Sequence, residues 1–399
     1  MRATGIVRRI DDLGRVVIPK EIRRTMRIRE GDPLEIYTDR DGEVIFKKYS
    51  PVGELGAVLD GLPAGLPVNE EYIASCMRRR AAYGKISTAR READAFSLVS
   101  GVYNGRTTGS PITAIIRNTD TRSSDYEKLP DTPRPAHADY TAAVRYHGFS
   151  DPRGGGHFSG RLTAPVVCLG SLVRYVLSLR GITLATHIKS LFGICDDGFS
   201  GDPREAKLLL SHVFPTLSEE TGRKMTEKIE EAAARGDSVG GILEGAIYGL
   251  PAGVGEPFFD SLEGVLAHGL FAIPGVKGVE FGLGFGYGTA TGSEVNDGFI
   301  IRDGRVATRT NNCGGVLGGL SDGEPVIYRV AMKPTPSISL PQRSVNIRTS
   351  EETEITVHGR HDPAIVHRAA VVCDSVAALA VCDLLASRYG SDAIAEGLI

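Results

Sequence analysis

The pentapeptide GLPAG occurs twice in the chain, at residues 61–65 and 249–253. Each copy follows a short apolar run of strand character, GAVLD before the first and GAIY before the second. Each also precedes a run of helical character, NEEYIASCMRRR after the first and FFDSLEGVLAHGLF after the second. This repetition of strand, turn and helix predicts an internally duplicated α/β core with pseudo-twofold symmetry. The alternative is a chance repeat of five residues, and the matching flanks count against it.

The length predicts a small domain followed by a large one, because 399 residues exceed one ordinary core. A hydrophobic content of 41% with 24% charged residues is typical of a soluble globular protein. Apolar periodicity predicts three helices in the large domain, at 160–179, 218–234 and 363–387.

The sequence gives no indication of a membrane or an oxidising compartment. No apolar run approaches the length that a bilayer requires, and no charged-then-apolar signal pattern begins the chain. The six cysteines form no CxxC pair, so we expect reduced thiols that lie mostly in the core. We therefore expect a cytoplasmic protein with no membrane contact.

Charge is spread unevenly along the chain. Residues 1–50 carry twelve Lys/Arg against nine Asp/Glu, a balance of +3, whereas the whole chain has −3 and the remainder therefore −6. The arginines of this segment cluster before residue 30. Such asymmetry indicates contact with a polyanion, although composition alone favours a solvated basic face.

The first fifty residues predict a small β-β-α-β-β unit, here called the head. TGIVRRI and GRVVIPK are strand-like runs around the turn DDLG, and Pro19 begins a short helix. DPLEIYT and GEVIFKK alternate as strands joined by DRDGE, whose Asp-Gly suits a tight hairpin. So little material for a core favours an intertwined dimer.

The stretch from TGIVRRI to SPVGEL resembles the AbrB/SpoVT family of swapped-hairpin DNA-binding domains, over residues 1–55. The resemblance implies that arginines of the loop and short helix hold duplex DNA, which are Arg8, Arg15, Arg23 and Arg24 here. Guanidinium groups suit phosphates and guanine edges, and a dimer presents two copies of them. A head that serves only for dimerisation would not need so many arginines.

Six segments of the large domain carry residue types suited to binding anions. They are RRRAAYGKISTARR (78–91), RPAHADY (134–140), DPRGGGHFSGR (151–161), NNCGGVLGGLSDG (311–323), KPTPSI (333–338) and GRHDP (359–363). Each one alone is more simply a turn or a solvated surface. Together they predict a pocket of fixed cations and flexible backbone, for a multiply anionic substrate and a phosphate-bearing cofactor. Neither a metal-ligand spacing nor a Ser/His/Asp elbow is present in the sequence.

The order of these segments resembles chorismate synthase, from about Gly56 to about Tyr389. The resemblance implies an α+β fold for residues 56–399, a β-α-β sandwich of two related halves that matches the doubled GLPAG. It also implies a homotetramer, reduced FMN as cofactor, and conversion of 5-enolpyruvylshikimate 3-phosphate to chorismate by 1,4-elimination of phosphate. NADP is associated with the family, but no nicotinamide-binding fingerprint follows a strand, so we expect reduced flavin from outside.

The resemblance also implies roles for individual residues. His137 matches a histidine that protonates reduced flavin, and Asp362 a carboxylate that takes a proton near flavin N5. Arg79, Lys85 and Arg161 match positions on the substrate and nucleotide phosphate side, with Lys85 in place of an arginine. The positions that match flavin contacts are His157, Phe158, Ser159, Gly318, Lys333, Pro334, Thr335, Pro336, Ser337 and Arg360.

The junction near residue 50 departs from the family pattern. Family members begin with a strand and a histidine turn, and that histidine is the proposed acid for the departing phosphate. A gapless register sets SPVGEL opposite the turn, with Pro51 where the histidine should be. We therefore expect that the head's last strand replaces the synthase's first strand and that activity is impaired.

Three hypotheses follow for the whole chain. It is a chorismate synthase with a DNA-binding head, a regulator whose body senses flavin or the substrate, or a fusion without a combined role. The first is favoured because Arg79, His137, Arg360 and Asp362 are all retained.

Overall fold

The computed structural model describes residues 34–38, 44–48, 59–82, 84–87, 94–116, 131–149, 158–357 and 362–397. It divides the chain into two compact units, Met1–Gly56 and Ala57–Ile399. The predictions for Arg8, Arg15, Arg23, Arg24 and Pro51 lie outside the described residues, as do the first strands and helix of the head.

The first unit contains an antiparallel strand pair, β1 (Leu34–Thr38) and β2 (Val44–Lys48). Leu34 pairs with Lys48 and Thr38 with Val44, so residues 39–43 connect the two strands. The two strands predicted from DPLEIYT and GEVIFKK are therefore confirmed.

The second unit mixes strands and helices. Its strands are β3 (Phe96–Ser100), β4 (Val102–Tyr103), β5 (Arg106–Thr107), β6 (Thr113–Ile116), β7 (Thr183–Leu191), β8 (Ile194–Cys195), β9 (Gly241–Tyr248), β10 (Val276–Phe281), β11 (Phe299–Arg302), β12 (Arg305–Thr308), β13 (Val316–Leu317), β14 (Leu320–Ser321), β15 (Val326–Met332), β16 (Gln342–Asn346) and β17 (Glu351–Ile355). Its α-helices are α1 (Glu70–Arg80), α2 (Asp139–Arg145), α3 (Thr163–Ser178), α4 (Arg204–Leu210), α5 (Glu219–Ala234), α6 (Leu262–Phe271), α7 (Gly292–Val295), α8 (Val366–Tyr389) and α9 (Ser391–Glu396).

The main sheet has five antiparallel strands in the order β10-β15-β9-β7-β8. Helix α8 packs on β7 and β9 and against the helices α1, α3 and α6, so it forms the centre of the core. The remaining strands form two-stranded pairs outside this sheet: β3-β6, β4-β5, β11-β12, β13-β14 and β16-β17.

The three helices predicted from periodicity are confirmed. A 3-10 turn at Gly160–Leu162 leads into α3, and α5 begins after Ser218, whose Oγ accepts the Thr221 N–H at 3.3 Å. The last helix, α8, begins at Val366, three residues after Pro363.

The prediction that no apolar run approaches bilayer length was wrong for two segments. Gly160–Ser178 has 19 residues and Val366–Tyr389 has 24, and both are apolar enough by composition to cross a membrane. Most residues of both segments are buried within the fold, as expected for helices of a protein core.

The two GLPAG copies have the same backbone feature at their last residue. Gly65 has φ +89° and Gly253 has φ +87°, values that glycine adopts at little cost. The second copy follows β9 and precedes α6, as predicted, and the first precedes α1. Residues 59–60, which directly precede the first copy, are helical rather than extended.

A row of charged side chains crosses the face of the main sheet opposite α8. His187 of β7 pairs in register with Glu244 of β9, which pairs with Arg329 of β15 and through it with Glu280 of β10. Their contacts are His187 Nε2 to Glu244 Oε1 at 3.2 Å, Arg329 Nη1 to Glu244 Oε2 at 3.7 Å and Arg329 Nε to Glu280 Oε1 at 2.6 Å. We call this row the charge ladder.

Asp196 closes the buried end of the charge ladder. Its Oδ2 lies 3.3 Å from His187 Nδ1, and the same carboxylate accepts the backbone N–H groups of Leu217 and Ser218. Burial opposes the charge of His187, but its hydrogen bonds to Asp196 and Glu244 outweigh burial and raise its pKa above 6.5. The same bonds lower the carboxylate pKa values of Asp196 and Glu244, against burial.

Candidate active site

The turn RPAHADY places a histidine against a carboxylate at the start of α2. His137 Nδ1 lies 2.7 Å from Asp139 Oδ1, with both side chains half-buried. The turn is completed by Ala136 with φ +55°, in the left-handed region that non-glycine residues rarely adopt. This conformation brings His137 back over the first turn of α2.

Asp139 is also held by the guanidinium group of Arg134. Arg134 Nε donates to Asp139 Oδ2 at 2.7 Å and Nη2 donates to Oδ1 at 2.8 Å, a bidentate pair. Burial would raise the pKa of Asp139, but hydrogen bonds from Arg134 and His137 outweigh it and hold the pKa well below its usual range. Asp139 is therefore a carboxylate that can accept a proton from His137 Nδ1, and Arg134 Nη2 lies 3.1 Å from the same nitrogen.

The loop KPTPSI, which follows β15, is hydrogen-bonded to this turn. Lys333 Nζ donates to the Ala136 carbonyl, and Ser337 Oγ accepts from Arg134 Nη1 at 3.2 Å. The pKa of Lys333 is lowered, first by burial and then by the charge of Lys277. Residues 134–139 and 333–337, which are far apart in sequence, therefore form one cluster.

A cavity of about 170 Å³ lies near the end of β15, close to the cluster. Met332, the last residue of β15, lines the cavity, and the next residue, Lys333, belongs to the cluster. Its polar side is formed by arginines 80, 161 and 368 with Ser159, Thr163 and Asp362. Its apolar side is formed by Ile273, Pro274, Met332, Ile365, Ala369 and Val372. In sequence, this lining runs directly into residues 150–157 and 358–361, which lie outside the described residues.

Asp362 is fixed at the cavity wall by the first turn of α8. Arg368 Nη1 donates to Asp362 Oδ2 at 2.8 Å, and Arg368 Nε donates to the Arg80 carbonyl at 2.8 Å. Arg80 in turn donates through Nε to Thr163 Oγ1 at 3.1 Å and through Nη1 to Asp94. One arginine thus orients a carboxylate and ties it to the end of α1.

Comparison with known proteins identifies the family. Residues 49–386 match the family model described as chorismate synthase. The chain belongs to the chorismate synthase family. Residues 7–54 match a second model, described as the antidote-toxin recognition protein MazE, a bacterial antitoxin.

Similar proteins cover most of the chain. The chorismate synthase of Pyrococcus abyssi is 45% identical over 339 residues, which are 84% of this chain and 93% of that protein. That of Dehalococcoides mccartyi is 44% identical over 332 residues, 83% of this chain and 91% of that protein. A crystal structure of a chorismate synthase matches with a TM-score of 0.66 at 26% identity, covering 85% of this chain and 90% of that one. The family resemblance and the chorismate synthase fold predicted from the sequence are therefore confirmed.

Most of the described residues that the chorismate synthase resemblance implies lie in the cluster or the cavity. His137, Lys333 and Ser337 belong to the cluster, whereas Ser159, Arg161 and Asp362 line the cavity. Pro334 packs near the backbone of Gly240, and the carbonyl of Thr335 accepts from Ser238 Oγ at 2.7 Å.

Other residues implied by the chorismate synthase resemblance lie elsewhere. Arg79 is buried and its Nη1 lies 3.3 Å from Asp374 Oδ2 in the helical core. Gly318, with φ +61°, forms the turn between β13 and β14, and Phe158 is exposed beside Ser159. The side chains of Lys85, His157 and Arg360 lie outside the described residues. The roles of these residues stay predictions.

Sequence reasoning missed Arg80, Arg134, Asp139 and Arg368 as individual contributors. Arg80 was one of three consecutive arginines, and the helix turns by about 100° per residue, so Arg79 and Arg80 face different surroundings. Arg134 and Asp139 belong to the motif RPAHADY, where they flank the histidine, and this proximity is a signal that could have identified them as its partners. Arg368 lies in the first turn of α8, six residues after Asp362, and no pattern in the sequence indicates that the two side chains meet.

Proposed function

We propose that this chain catalyses the 1,4-elimination of phosphate from 5-enolpyruvylshikimate 3-phosphate, giving chorismate, with reduced FMN as cofactor. In the net reaction phosphate leaves with the electrons of its C–O bond, and a C–H bond loses its proton while its electrons form the new double bond. The observation that carries the proposal is that two candidate proton carriers lie near the end of β15. Lys333, which follows β15, donates to the carbonyl of Ala136 next to His137, and Asp362 lines the same cavity as Met332. Such a pair can manage the protons of an elimination.

The cavity suits a multiply anionic substrate. Arginines 80, 161 and 368 contribute to one wall. The 3-10 turn at Gly160–Leu162 lies at the same wall, leads into α3 and offers backbone N–H groups to an anion. Fixed guanidinium groups stabilise the charge that develops on a departing phosphate without needing to reorganise. Arg161 is the side chain that the family resemblance assigns to the substrate.

The residues present also fit a flavin nucleotide. Ile273, Pro274 and Met332 give an apolar wall for a flat ring, and Lys333 gives a cation next to it. Thr335 Oγ1 is buried, and among the described residues it has no hydrogen-bond partner, as expected for a group that awaits a ligand. Ser159, Lys333, Thr335 and Ser337 would hold the nucleotide, together with Phe158, Gly318 and the predicted positions His157 and Arg360.

Reduced FMN, when bound, would supply reversible one-electron chemistry, so that the elimination requires no net oxidation. The side chains of the protein would donate and accept the protons of the reaction. With its proton on Nδ1, His137 would donate to Asp139, and Nε2 would then be the nitrogen that holds and delivers a proton. Arg134 Nη2 lies 3.1 Å from Nδ1 and helps to fix the ring. Arg368 holds Asp362 in the cavity wall as a proton acceptor.

The position of Pro51 predicts that this activity is weaker than in relatives that have the histidine turn. Proline can neither donate nor accept a proton at its side chain, and loss of one general acid costs on the order of 10²–10⁴ in rate. Residual turnover is therefore expected.

We further propose that the head binds duplex DNA through Arg8, Arg15, Arg23 and Arg24. The match to the antitoxin model over residues 7–54 supports a nucleic-acid or protein partner for this unit. The protein would act in the cytoplasm as a homo-oligomer, with a swapped-hairpin dimer of the head and a tetramer of the body. If the body only senses its ligands, the alternative function is a transcriptional regulator.

One experiment separates these functions. Purified full-length protein is mixed anaerobically with reduced FMN and 5-enolpyruvylshikimate 3-phosphate, and chorismate absorbance and phosphate release are followed. Turnover supports the synthase. Binding of oxidised FMN without turnover, together with DNA affinity that changes with the ligand, supports the regulator. Absence of flavin binding would contradict the synthase, and absence of binding of both flavin and substrate would leave a fusion without a combined role.

A further inference from the structure

The three arginines that line the cavity differ in how far they are buried. Arg80 is 3% exposed, whereas Arg161 and Arg368 are half-buried. A buried guanidinium group requires a partner for its charge, and Arg80 Nη1 donates to the carboxylate of Asp94, whose side chain is 10% exposed. Asp94 has φ +42°, in the left-handed region that non-glycine residues rarely adopt. The charge of Arg80 is therefore already paired within the protein.

The other nitrogens of Arg80 bind the 3-10 turn that leads into α3. Nη2 donates to the carbonyl oxygens of Gly160 and Arg161, at 3.3 Å each. Nε donates to Thr163 Oγ1 at 3.1 Å, and the same hydroxyl donates to the Gly160 carbonyl at 2.6 Å. Arg80 thus connects the last residue of α1 to the first residues of α3, about 80 positions further along the chain.

This turn carries side chains of the cavity wall. Ser159, Gly160 and Arg161 all line the cavity. Ser159 Oγ accepts the Arg161 N–H at 3.3 Å and so caps the turn, whereas the apolar side chain of Leu162, at the N-cap of α3, cannot accept a hydrogen bond. The direction in which Arg161 leaves the backbone therefore depends on the contacts that Arg80 makes with the turn.

The neighbouring arginine of α1 has different surroundings. Arg79 Nη1 lies 3.3 Å from Asp374 Oδ2, and Asp374 is completely buried in the helical core. Arg80 is the member of this pair that lines the cavity. Its planar guanidinium group sends N–H donors in several fixed directions, which a lysine ammonium at the end of a flexible chain does not reproduce.

We propose that Arg80 is a positioning residue, which holds the turn Gly160–Leu162 so that Arg161 is directed at the phosphate of the ligand. The proposal rests on the proposed function for the identity of that ligand. A role as a direct phosphate ligand suits Arg80 less well, because its hydrogen bonds to Asp94, Thr163 and the turn would have to break first.

The test is a double-mutant cycle on substrate affinity. Binding of 5-enolpyruvylshikimate 3-phosphate to the full-length protein is measured by titration calorimetry with oxidised FMN present, because the oxidised cofactor does not support turnover. We expect Arg80→Lys to weaken binding about tenfold and Arg161→Gln to weaken it at least as much. The double variant should bind no more weakly than Arg161→Gln alone, because Arg80 acts through Arg161.

Thr163 allows the same test without a change of charge. Thr163→Val removes the hydroxyl to which Arg80 Nε donates and should weaken binding about tenfold, whereas Thr163→Ser keeps that hydroxyl and should bind within about twofold of the wild type. Thr226→Val is the matched control, because Thr226 Oγ1 also donates to a backbone carbonyl, that of Gly222 at 2.9 Å, but on α5. This control should bind as the wild type does.

Hydrogen exchange of the ligand-free protein tests the turn without any substrate. The Leu162 N–H donates to the Ser159 carbonyl at 3.1 Å, so its exchange should be faster in Arg80→Lys than in the wild type. Unchanged exchange at Leu162, or additive affinity losses in the double variant, would overturn the proposal while leaving the proposed function intact. Substrate binding without turnover under reducing conditions would instead overturn the proposed function. Thr163→Val keeps the experiment decisive if Arg80→Lys does not fold.

Discussion

Asp139 Oδ1 lies 2.7 Å from His137 Nδ1, while the Arg134 guanidinium group grips both oxygens of the same carboxylate. This arrangement fixes the ring of His137 against a carboxylate and a guanidinium group. We expect Asp139→Asn to lower kcat by about 10²-fold, because an amide can present its NH₂ to Nδ1 and stabilise the wrong tautomer.

The check for Asp139→Asn is anaerobic chorismate formation at saturating substrate. Asp392→Asn, an exposed carboxylate on α9, is the matched control and should behave as the wild type. An Asp139→Asn variant with unchanged kcat would show that His137 does not depend on this carboxylate.

A second prediction concerns Arg368. Its Nη1 and Nε donate in two directions at once, to Asp362 and to the Arg80 carbonyl, and a lysine ammonium cannot reproduce this fork. We expect Arg368→Lys to lower kcat by about 10–100-fold although the charge is kept. Arg204→Lys, at an exposed arginine of α4, is the control. Steady-state kinetics check this, and equal kcat values in both variants would contradict it.

A third prediction concerns the charge ladder and pH. The pKa of His187 is raised, so its contribution to stability is complete below its ordinary pKa of 6.5 and is lost as pH rises through the folded-state value. The pKa values of Asp196 and Glu244 are lowered, so their contributions are present above the ordinary values of 3.8 and 4.5 and are lost as pH falls. The ladder is therefore fully formed between about pH 4.5 and 6.5.

His187→Leu should destabilise the protein by about 3–5 kcal/mol at pH 6, because it leaves two buried carboxylates without their shared cation. Urea unfolding of both proteins at pH 6 and pH 9 measures this difference. We expect the difference to shrink as the pH rises through the folded-state pKa of His187, where the wild type loses its proton. A difference that stays constant would show that His187 does not change its charge between pH 6 and pH 9.

These sites differ in how far the sequence predicts them. Apolar periodicity predicts α3, α5 and α8, because that signal is local. The motif RPAHADY predicts that His137 is a candidate functional residue. Only the structure shows that Lys333 donates to the carbonyl of the neighbouring Ala136. Which of Arg79 and Arg80 faces the cavity depends on the rotation of α1 against its neighbours. The charge ladder unites residues 187, 244, 280 and 329, and only strand register brings these together.

A fourth prediction concerns the head. If Arg23 contacts a DNA phosphate, each copy contributes about −0.9 to the slope of log affinity against log salt. A dimer presents two copies, so Arg23→Ala should reduce the magnitude of the slope by about two and weaken binding at low salt. Fluorescence anisotropy with duplex DNA at several salt concentrations measures this, with Arg204→Ala as the control. A flat salt response in the wild type would contradict DNA binding by the head.

The last prediction concerns Pro51, which stands opposite the family's histidine turn in a gapless register. If the missing imidazole is the acid for the departing phosphate, Pro51→His should raise kcat, by up to about 10²–10⁴-fold. Pro51→Ala is the matched control, because it removes the restricted proline backbone without adding a proton donor. Stopped-flow phosphate release under anaerobic conditions distinguishes the two variants. A gain in both would mean that backbone freedom at the junction limits the rate, and a gain in neither would mean that another group already protonates the phosphate.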